Sequence, residues 1–285
     1  MTSPSPTLPD DITEIVRRAL AEDMGSGDLT AALIPDDRTA RAQVVTREDA
    51  ILCGCAWFDE VFRQLGTDIR ITWKALDGET IRAGQTLCRI EGPARAILTG
   101  ERTALNFLQT LSGVATRTRA YVDAVRGTKA VVLDTRKTVP GLRLAQKYAV
   151  RCGGGQNHRL GLYDGILIKE NHIAAAGSIT AALNAAGAVA TPKMMVEIEV
   201  ESLTQLHEAL AAGAKRILLD NFDLAGLRAA VSETRGRAQL EISGGITLAN
   251  VRALAETGVD FISVGDLTKN LAAVDLSLRF EKILR

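Results

Sequence analysis

Aromatic residues are scarce in this 285-residue chain, at 4%. A surface that reads nucleic acid by stacking bases is therefore not expected. Neither sign of charge is in excess: 34 Lys and Arg face 34 Asp and Glu, so the net charge is zero and no general nucleic-acid footprint exists. Cysteine occurs only four times, as Cys53, Cys55, Cys88 and Cys152. Cys53 and Cys55 have no second pair with which to complete a zinc site, so buried thiols in a reducing, cytoplasmic setting are expected. No run of about 18 consecutive apolar residues is present, which argues against a membrane partner. The opening MTSPSPTLPDD lacks the charged and apolar regions of a secretory signal, and residues 1–8 read as a short disordered lead.

What is there is ordinary globular material, 46% hydrophobic and 24% charged, enough for one large domain or two smaller ones. Asp11 with Glu14 resembles a capping box opening an amphipathic helix on Ile12, Ile15, Val16, Ala19 and Leu20. Residues 40–53 read as two short strands, 54–66 as a helix, and 69–93 as strands and turns around DG and AG. The segment GETIRAGQTLCRIEG looks like half of a biotinyl or lipoyl hairpin, but no lysine follows it, so a hairpin in a small sheet domain is the better reading.

From residue 97 the pattern changes. ILTGERTALNFLQTLSGVATRTRAYVDAV predicts two helices around Ser112-Gly113. Six apolar runs follow, each ending in polar residues: AVVLDTRK, GILIKEN, MMVEIEVE, RILLDNF, LEISGGI and FISVGDL. Helical segments between the later ones end at glycines suited to C-caps. Strands alternating with helices predict a parallel sheet. A barrel is favoured over an open doubly wound sheet, because polar residues crowd the strand ends and no G-x-G-x-x-G follows the first strand. The closing VDLSLRF (274–280) is strand-like without a following helix and is expected to return to the first domain's sheet.

Charge locates the chemistry. Between 136 and 172, seven Lys and Arg face two acids, a local excess of five in a neutral chain. Arg143, Lys147 and Arg151 share a helix face, where a solvated surface is as good a reading as a site. Arg136, Lys137, Arg159 and Lys169 sit at strand ends or beside the glycines of CGGGQNHR, where guanidinium forks and an ammonium would hold an anion. Those glycines read as room for a ligand close to the backbone. In VEIEVES, Glu197, Glu199 and Glu201 alternate and so share a face, and Asp220 ends the next strand. Such carboxylates suit Mg²⁺ held jointly with phosphates. Glycines in EISGGIT and SVGDLT, ahead of helices, suit a phosphate cradle.

The stretch DTRKTVPGLRLAQKYAVRCGGGQNHRLGLYDGILIKENHI (134–173) closely resembles the central signature of the quinolinate phosphoribosyltransferases. EDMGSGDLT, GERTALNFLQTLSGVATRT, VEIEVES, LLDN, EISGGI and DLSLRF extend the resemblance along almost the whole chain. It implies the type II phosphoribosyltransferase fold: an α/β sandwich (9–111, joined by 271–285) and an incomplete, seven-stranded α/β barrel (112–270). It implies transfer of phosphoribosyl from phosphoribosyl pyrophosphate to quinolinate with decarboxylation, giving nicotinate mononucleotide for NAD synthesis. By the same resemblance Arg102 would reach across a homodimer, and Arg136, His158, Arg159 and Lys169 would surround quinolinate. Thr135 and Lys137 would serve the phosphoribosyl pyrophosphate, Glu199 and Asp220 would hold Mg²⁺ and the ribose, and Ser243, Gly244, Gly245 and Gly265 would bind the 5′-phosphate. For His172 the resemblance gives no firm contact, which leaves it a supporting role.

Other readings compete. A paralogue of the same fold encoded alongside molybdate transporters would lack the complete cationic set. Lys169 could be the Schiff-base lysine of a class I aldolase, though its charged surroundings disfavour that. A non-catalytic sensor of phosphoribosyl ligands would not need the acids at 199 and 220.

Overall fold

The computed structural model describes residues 6–66 and 68–284; of the lead expected at 1–8, residues 1–5 lie outside them. The chain runs α1 (Ile12–Met24), β1 (Thr39–Thr46), β2 (Ala50–Ile51), α2 (Cys55–Leu65), β3 (Arg70–Trp73), β4 (Thr80–Ile81), β5 (Thr86–Pro93) and α3 (Ala94–Ala124). There follow β6 (Val131–Leu133), α4 (Arg143–Cys152), β7 (Gly165–Ile168), α5 (Glu170–Ala176), α6 (Ile179–Val189), β8 (Met195–Val200) and α7 (Leu203–Ala211). The last elements are β9 (Arg216–Asp220), α8 (Leu224–Thr234), β10 (Gln239–Ser243), α9 (Val251–Ala255), β11 (Phe261–Ser263), α10 (Asp266–Lys269) and β12 (Leu276–Leu284).

Two compact units result. The first comprises Met1–Arg119, Val139–Gly154 and Asn270–Arg285; the second comprises Ala120–Thr138 and Gly155–Lys269. α4, which the expected boundaries put in the barrel, thus belongs to the first unit.

In the first unit an antiparallel sheet runs in the order β12-β1-β5-β3, and β2 pairs with β4 in a small second sheet. β1 alternates buried and more open residues, as a strand with one covered face must. The carboxyl-terminal strand does return: Val44 of β1 lies opposite Leu278 of β12. Several of the few aromatics gather here, with Phe58 between Phe62 and Trp73, and Trp57 against Tyr148 at 5.3 Å. All four cysteines are free, as expected, and burial pushes the Cys53, Cys55 and Cys88 thiols well up.

Two local expectations fail for physical reasons. Asp11 precedes α1 but makes no side-chain cap, and Glu14 instead binds Arg17 and Arg18. Ser112-Gly113 does not break a helix, because α3 is continuous over 31 residues. Ser112 Oγ accepts the Cys53 N–H at 2.9 Å and donates to its carbonyl, while Thr116 Oγ1 accepts the Ile51 N–H at 2.8 Å. A Cβ at Gly113 would collide with the Ala272 carbonyl. The polar and small residues stitch a strand end and a loop onto the helix instead of ending it. Of the two readings left open for the cationic face of α4, the solvated one fails at Lys147, which is 1% exposed.

In the second unit six parallel strands run in the order β6-β11-β10-β9-β8-β7. The first strand neighbours the last, which is barrel order and not that of a doubly wound sheet. No β6–β7 ladder is found among the described residues; in the seventh strand's place Gln156 alone bridges to Leu133. The helices α7 and α8 start at Ser202 and Asp223, whose side chains accept the N–H groups of Gln205 and Gly226. The uncharged stretch after His172 is broken at Gly177–Ser178, with α5 and α6 bent by 95°. No single helix among the described residues is long and apolar enough to cross a membrane.

Candidate active site

The carboxyl ends of β6 to β11 surround a cavity of 340 Å³. Its lining includes Thr135, Arg136, Lys137, His158, Arg159, Lys169, Glu199 and Ser243, all expected from the sequence, together with Leu167, Leu218, Glu241 and Ser263. Residues almost 130 apart in the chain meet there because a parallel barrel brings every strand's carboxyl end to one face.

The loop carrying His158 and Arg159 is fastened to β6. Gln156 exchanges backbone hydrogen bonds with Val132 and Asp134, and the buried Asp134 carboxylate accepts the His158 N–H at 2.9 Å and the Asn157 amide. Asp164 closes the following turn by accepting the N–H groups of Leu160 and Gly161. The glycines before this loop do a different job from the one expected. Gly153 ends α4 against α3, where a Cβ would stand 2.5 Å from the Ala115 carbonyl and 2.6 Å from Thr118 Cβ. Gly154 has φ +94°, which turns the chain out of the helix. Gly153 thus makes room for a helix.

At the mouth, Arg159 Nη1 donates to the Gly165 carbonyl at 3.1 Å. Burial, and then the neighbouring Arg136, push its guanidinium pKa below the usual value. Two neighbouring guanidiniums give the cavity positive charge of the kind that suits carboxylates and phosphates. Lys169 Nζ lies 3.0 Å from Glu199 Oε2, and the Lys169 backbone N–H donates to His172 Nδ1. Lys137 is exposed, with its N–H on Thr135 Oγ1 and its carbonyl taking the Thr268 hydroxyl.

Of the remaining expected residues, Asp220 ends β9 beside Ser243, whose hydroxyl donates to it at 3.4 Å. Asn221, at φ +58°, turns sharply after it and donates its amide to Asp220 Oδ2. Gly244 and Gly245 follow with φ of +87° and +62°. Gly265 borders Lys137, whose Cδ would be 3.1 Å from an added Cβ. The helices beyond these glycines are short: α9 starts only at Val251 and α10 has four residues, so a phosphate here would meet loop amides more than a helix end. Arg102 is exposed on α3 in the first unit and does not line the cavity. Glu201, expected to share the face of Glu197 and Glu199, lies past the end of β8 and is exposed.

Beneath the mouth lies a second layer, of which the sequence pointed to Glu197 and His158 but not to Arg216, Glu241 or Ser263. Glu197 and Glu241 are fully buried, and one guanidinium joins them: Arg216 Nε donates to Glu197 Oε1 at 3.1 Å and its Nη2 to Glu241 Oε2 at 2.5 Å. Arg216 is stacked 4.1 Å above the Phe261 ring. His158 Nε2 meets Glu197 Oε2 at 2.8 Å, and Ser263 Oγ donates to Glu241 Oε1. Burial, with Glu197 nearby, pushes the Glu241 carboxyl up to about 7. Burial disfavours the Arg216 charge, but Glu197 and Glu241 outweigh it and raise its pKa. His158, Glu197 and Glu241 are close enough together to hold a cation, and Arg216 already fills that role. The available signal was a glutamate in the middle of each apolar run, LEIS and VEIE.

Comparison with known proteins agrees with this geometry. The sequence profile of the quinolinate phosphoribosyl transferase C-terminal domain matches residues 114–279, and that of its N-terminal domain matches 28–112. The chain belongs to the quinolinate phosphoribosyltransferase family. A Mycobacterium leprae relative, named nicotinate-nucleotide pyrophosphorylase (carboxylating), is 46% identical over 279 residues, 94% of this chain and 97% of its own. A Bacillus subtilis relative, named as the probable enzyme of that kind, is 42% identical over 94% of this chain and 92% of its own. The solved structure of the Francisella tularensis nicotinate-nucleotide pyrophosphorylase superposes with a TM-score of 0.94 at 48% identity, covering 99% of this chain and all of that one. The quinolinate phosphoribosyltransferase fold is thus an antiparallel first unit and a parallel barrel second unit.

Proposed function

We infer that this chain transfers phosphoribosyl from phosphoribosyl pyrophosphate to quinolinate, releasing pyrophosphate and carbon dioxide and forming nicotinate mononucleotide. The observation that carries the reading is the cavity mouth, where Arg136, Arg159, Lys137 and Lys169 converge over a floor whose own charges are already paired. Quinolinate is a planar dianion, and two guanidinium forks with an ammonium match its two carboxylates. Its relatives' names support the same substrate, and none favours the sensor or the transport-associated paralogue.

In this reading Arg136, Arg159 and Lys169 hold quinolinate with its ring nitrogen toward the anomeric carbon. Thr135 and Lys137 face the pyrophosphate, and the loops at Ser243–Gly245 and Gly265 take the 5′-phosphate through their amides. As the bond from the anomeric carbon to pyrophosphate breaks, that carbon becomes cationic, and the Glu199 and Asp220 carboxylates stabilise it. The quinolinate nitrogen then forms the new bond. The resulting pyridinium is an electron sink, so the carboxylate beside the nitrogen leaves as carbon dioxide with its bonding electrons retained on the ring, and a proton fills the position. No base from the protein is required.

Glu199 and Asp220 end neighbouring strands and offer hard oxygen donors, but only two of them. That set fits Mg²⁺ when substrate phosphate oxygens and water supply the other ligands. Bound there, Mg²⁺ would offset the charge of the departing pyrophosphate. We also propose a cytoplasmic homodimer in which Arg102 of the partner subunit completes the quinolinate site; the exposure of Arg102 on α3 and the free thiols support it.

The decisive assay gives the purified protein Mg²⁺, quinolinate and phosphoribosyl pyrophosphate. Carbon dioxide and nicotinate mononucleotide are expected. Binding without turnover would sink the enzyme reading, and turnover of nicotinate instead would sink the substrate.

A further inference from the structure

Both ring nitrogens of His158 are engaged by the protein itself. Nε2 lies 2.8 Å from Glu197 Oε2, and Nδ1 accepts the backbone N–H of Arg159 at 2.7 Å. A backbone N–H can only donate, so Nδ1 must present its lone pair and the ring proton must sit on Nε2, facing the carboxylate. The ring therefore borders the cavity without a free donor for a ligand's carboxylate.

The partners of His158 are themselves fixed. Glu197 is anchored by Arg216, Arg216 by Glu241 and Phe261, and Glu241 by Ser263. The His158 backbone is held separately by Asp134 at 2.9 Å. At the other end, the Arg159 head is tied to the Gly165 carbonyl of β7. A continuous set of hydrogen bonds thus runs from the barrel floor, through the imidazole, to the main chain of the arginine at the mouth.

We propose that His158 is a positioning residue and not a substrate contact: its ring transmits the fixed Glu197–Arg216–Glu241 floor to the Arg159 main chain and so sets where that guanidinium meets a carboxylate of the substrate. The proposal rests on the functional reading above for the identity of that substrate, and it replaces the expectation that His158 itself grips quinolinate. A shift of about 1 Å in a group that orients substrate is enough to cost ~100-fold in rate.

The test starts with the full chain labelled with ¹⁵N-histidine, the three histidines being assigned through His172→Asn and His207→Asn. Two-bond proton–nitrogen correlation is expected to show His158 with Nε2 protonated and Nδ1 bare. The same tautomer should persist when quinolinate is added to saturation, as followed by calorimetry. A proton on Nδ1 in the free chain, or a new tautomer or imidazolium on binding, overturns the proposal. Absence of any quinolinate heat overturns the functional reading instead, while the free-chain tautomer still decides this one.

Kinetics supply a second readout. In His158→Asn the amide oxygen can still accept the Arg159 N–H, whereas His158→Ala leaves nothing there. KM for quinolinate should rise about 100-fold in the alanine variant and less than about 10-fold in the asparagine variant, with KM for phosphoribosyl pyrophosphate unmoved in both. Equal damage from the two substitutions, confined to quinolinate, would mean that the acceptor for the Arg159 N–H does not set the guanidinium and would overturn the assignment.

Discussion

Two tiers of charge stand in one barrel, only two residues apart along the same strands. Glu197 and Glu199 come from β8, Glu241 and Ser243 from β10. The inner tier's carboxylates are fully buried and its charges answer one another: both carboxylates share Arg216, and His158 closes the set. The outer tier is left partly open, with repelling guanidiniums and carboxylates whose partners sit at the solvent edge. The same residue types therefore do opposite things. Where water is excluded an unpaired charge is too costly to keep, so the inner tier must pair; in the proposed function the charges at the mouth are the ones that meet the ligand.

The sharpest way to break this contrast is to remove one carboxylate from each tier. Glu197→Ala strands Arg216 and the His158 ring proton in the interior and should cost about 3–5 kcal/mol of stability in urea unfolding. Glu199→Gln should cost less than about 1 kcal/mol of stability, because its Lys169 partner is largely exposed, yet it should remove most turnover. Equal destabilisation by both would mean that the two tiers are one.

Next in size is Arg159→Ala, which should lower kcat/KM for quinolinate by ~2–4 kcal/mol of transition-state binding through the lost carboxylate fork. Unchanged kinetics would show that the outer tier's cations are merely solvated. Gly153→Ala tests the glycines. Its new methyl must displace the Ala115 carbonyl and Thr118, costing about 1–3 kcal/mol of folding stability, with KM for quinolinate near the wild-type value. A raised KM with intact stability would restore the view that these glycines line the ligand site.

The smallest effect is one of pH. The folded state holds the Glu241 pKa at about 7, above its ordinary value of 4.5, so its neutral form is favoured by folding. That contribution is fully present below pH 4.5 and is lost as pH rises through about 7. Glu60 works in the opposite sense: Arg63 lowers its pKa to about 2, and its contribution fades only as pH falls below 4.5. Unfolding at pH 5 and pH 8 should therefore show wild type losing stability relative to Glu241→Gln as pH rises. A constant difference between the two would remove Glu241 from the titrating groups.

The outer tier was legible in the chain because its residues follow apolar runs: Arg136, Lys169, Glu199 and Asp220 mark strand ends by position alone. The pairing within the inner tier was not, because a glutamate inside VEIE or LEIS gives no hint of an arginine partner 19 or 25 residues away. Arg216 begins the strand RILLD and reads as a solvent residue until the barrel folds it over Phe261. His158 was found as a site residue, but the destination of its two nitrogens depends on contacts at separations of 1 and 39 residues, and only the first is local.

By itself the sequence determined the period of each element, the order of strands and helices, the returning last strand and the positive stretch at 136–172, since these are properties of neighbours along a chain. Tertiary structure alone decided that α3 runs unbroken through Ser112-Gly113, that Gly153 serves helix packing, and that Lys147 is buried. It also decided which carboxylates are neutralised and which remain for a ligand. Local patterns report the intrinsic preference of a segment; burial and pairing are set by what other segments bring to the same few ångströms, and in a parallel barrel those segments are always far apart in sequence.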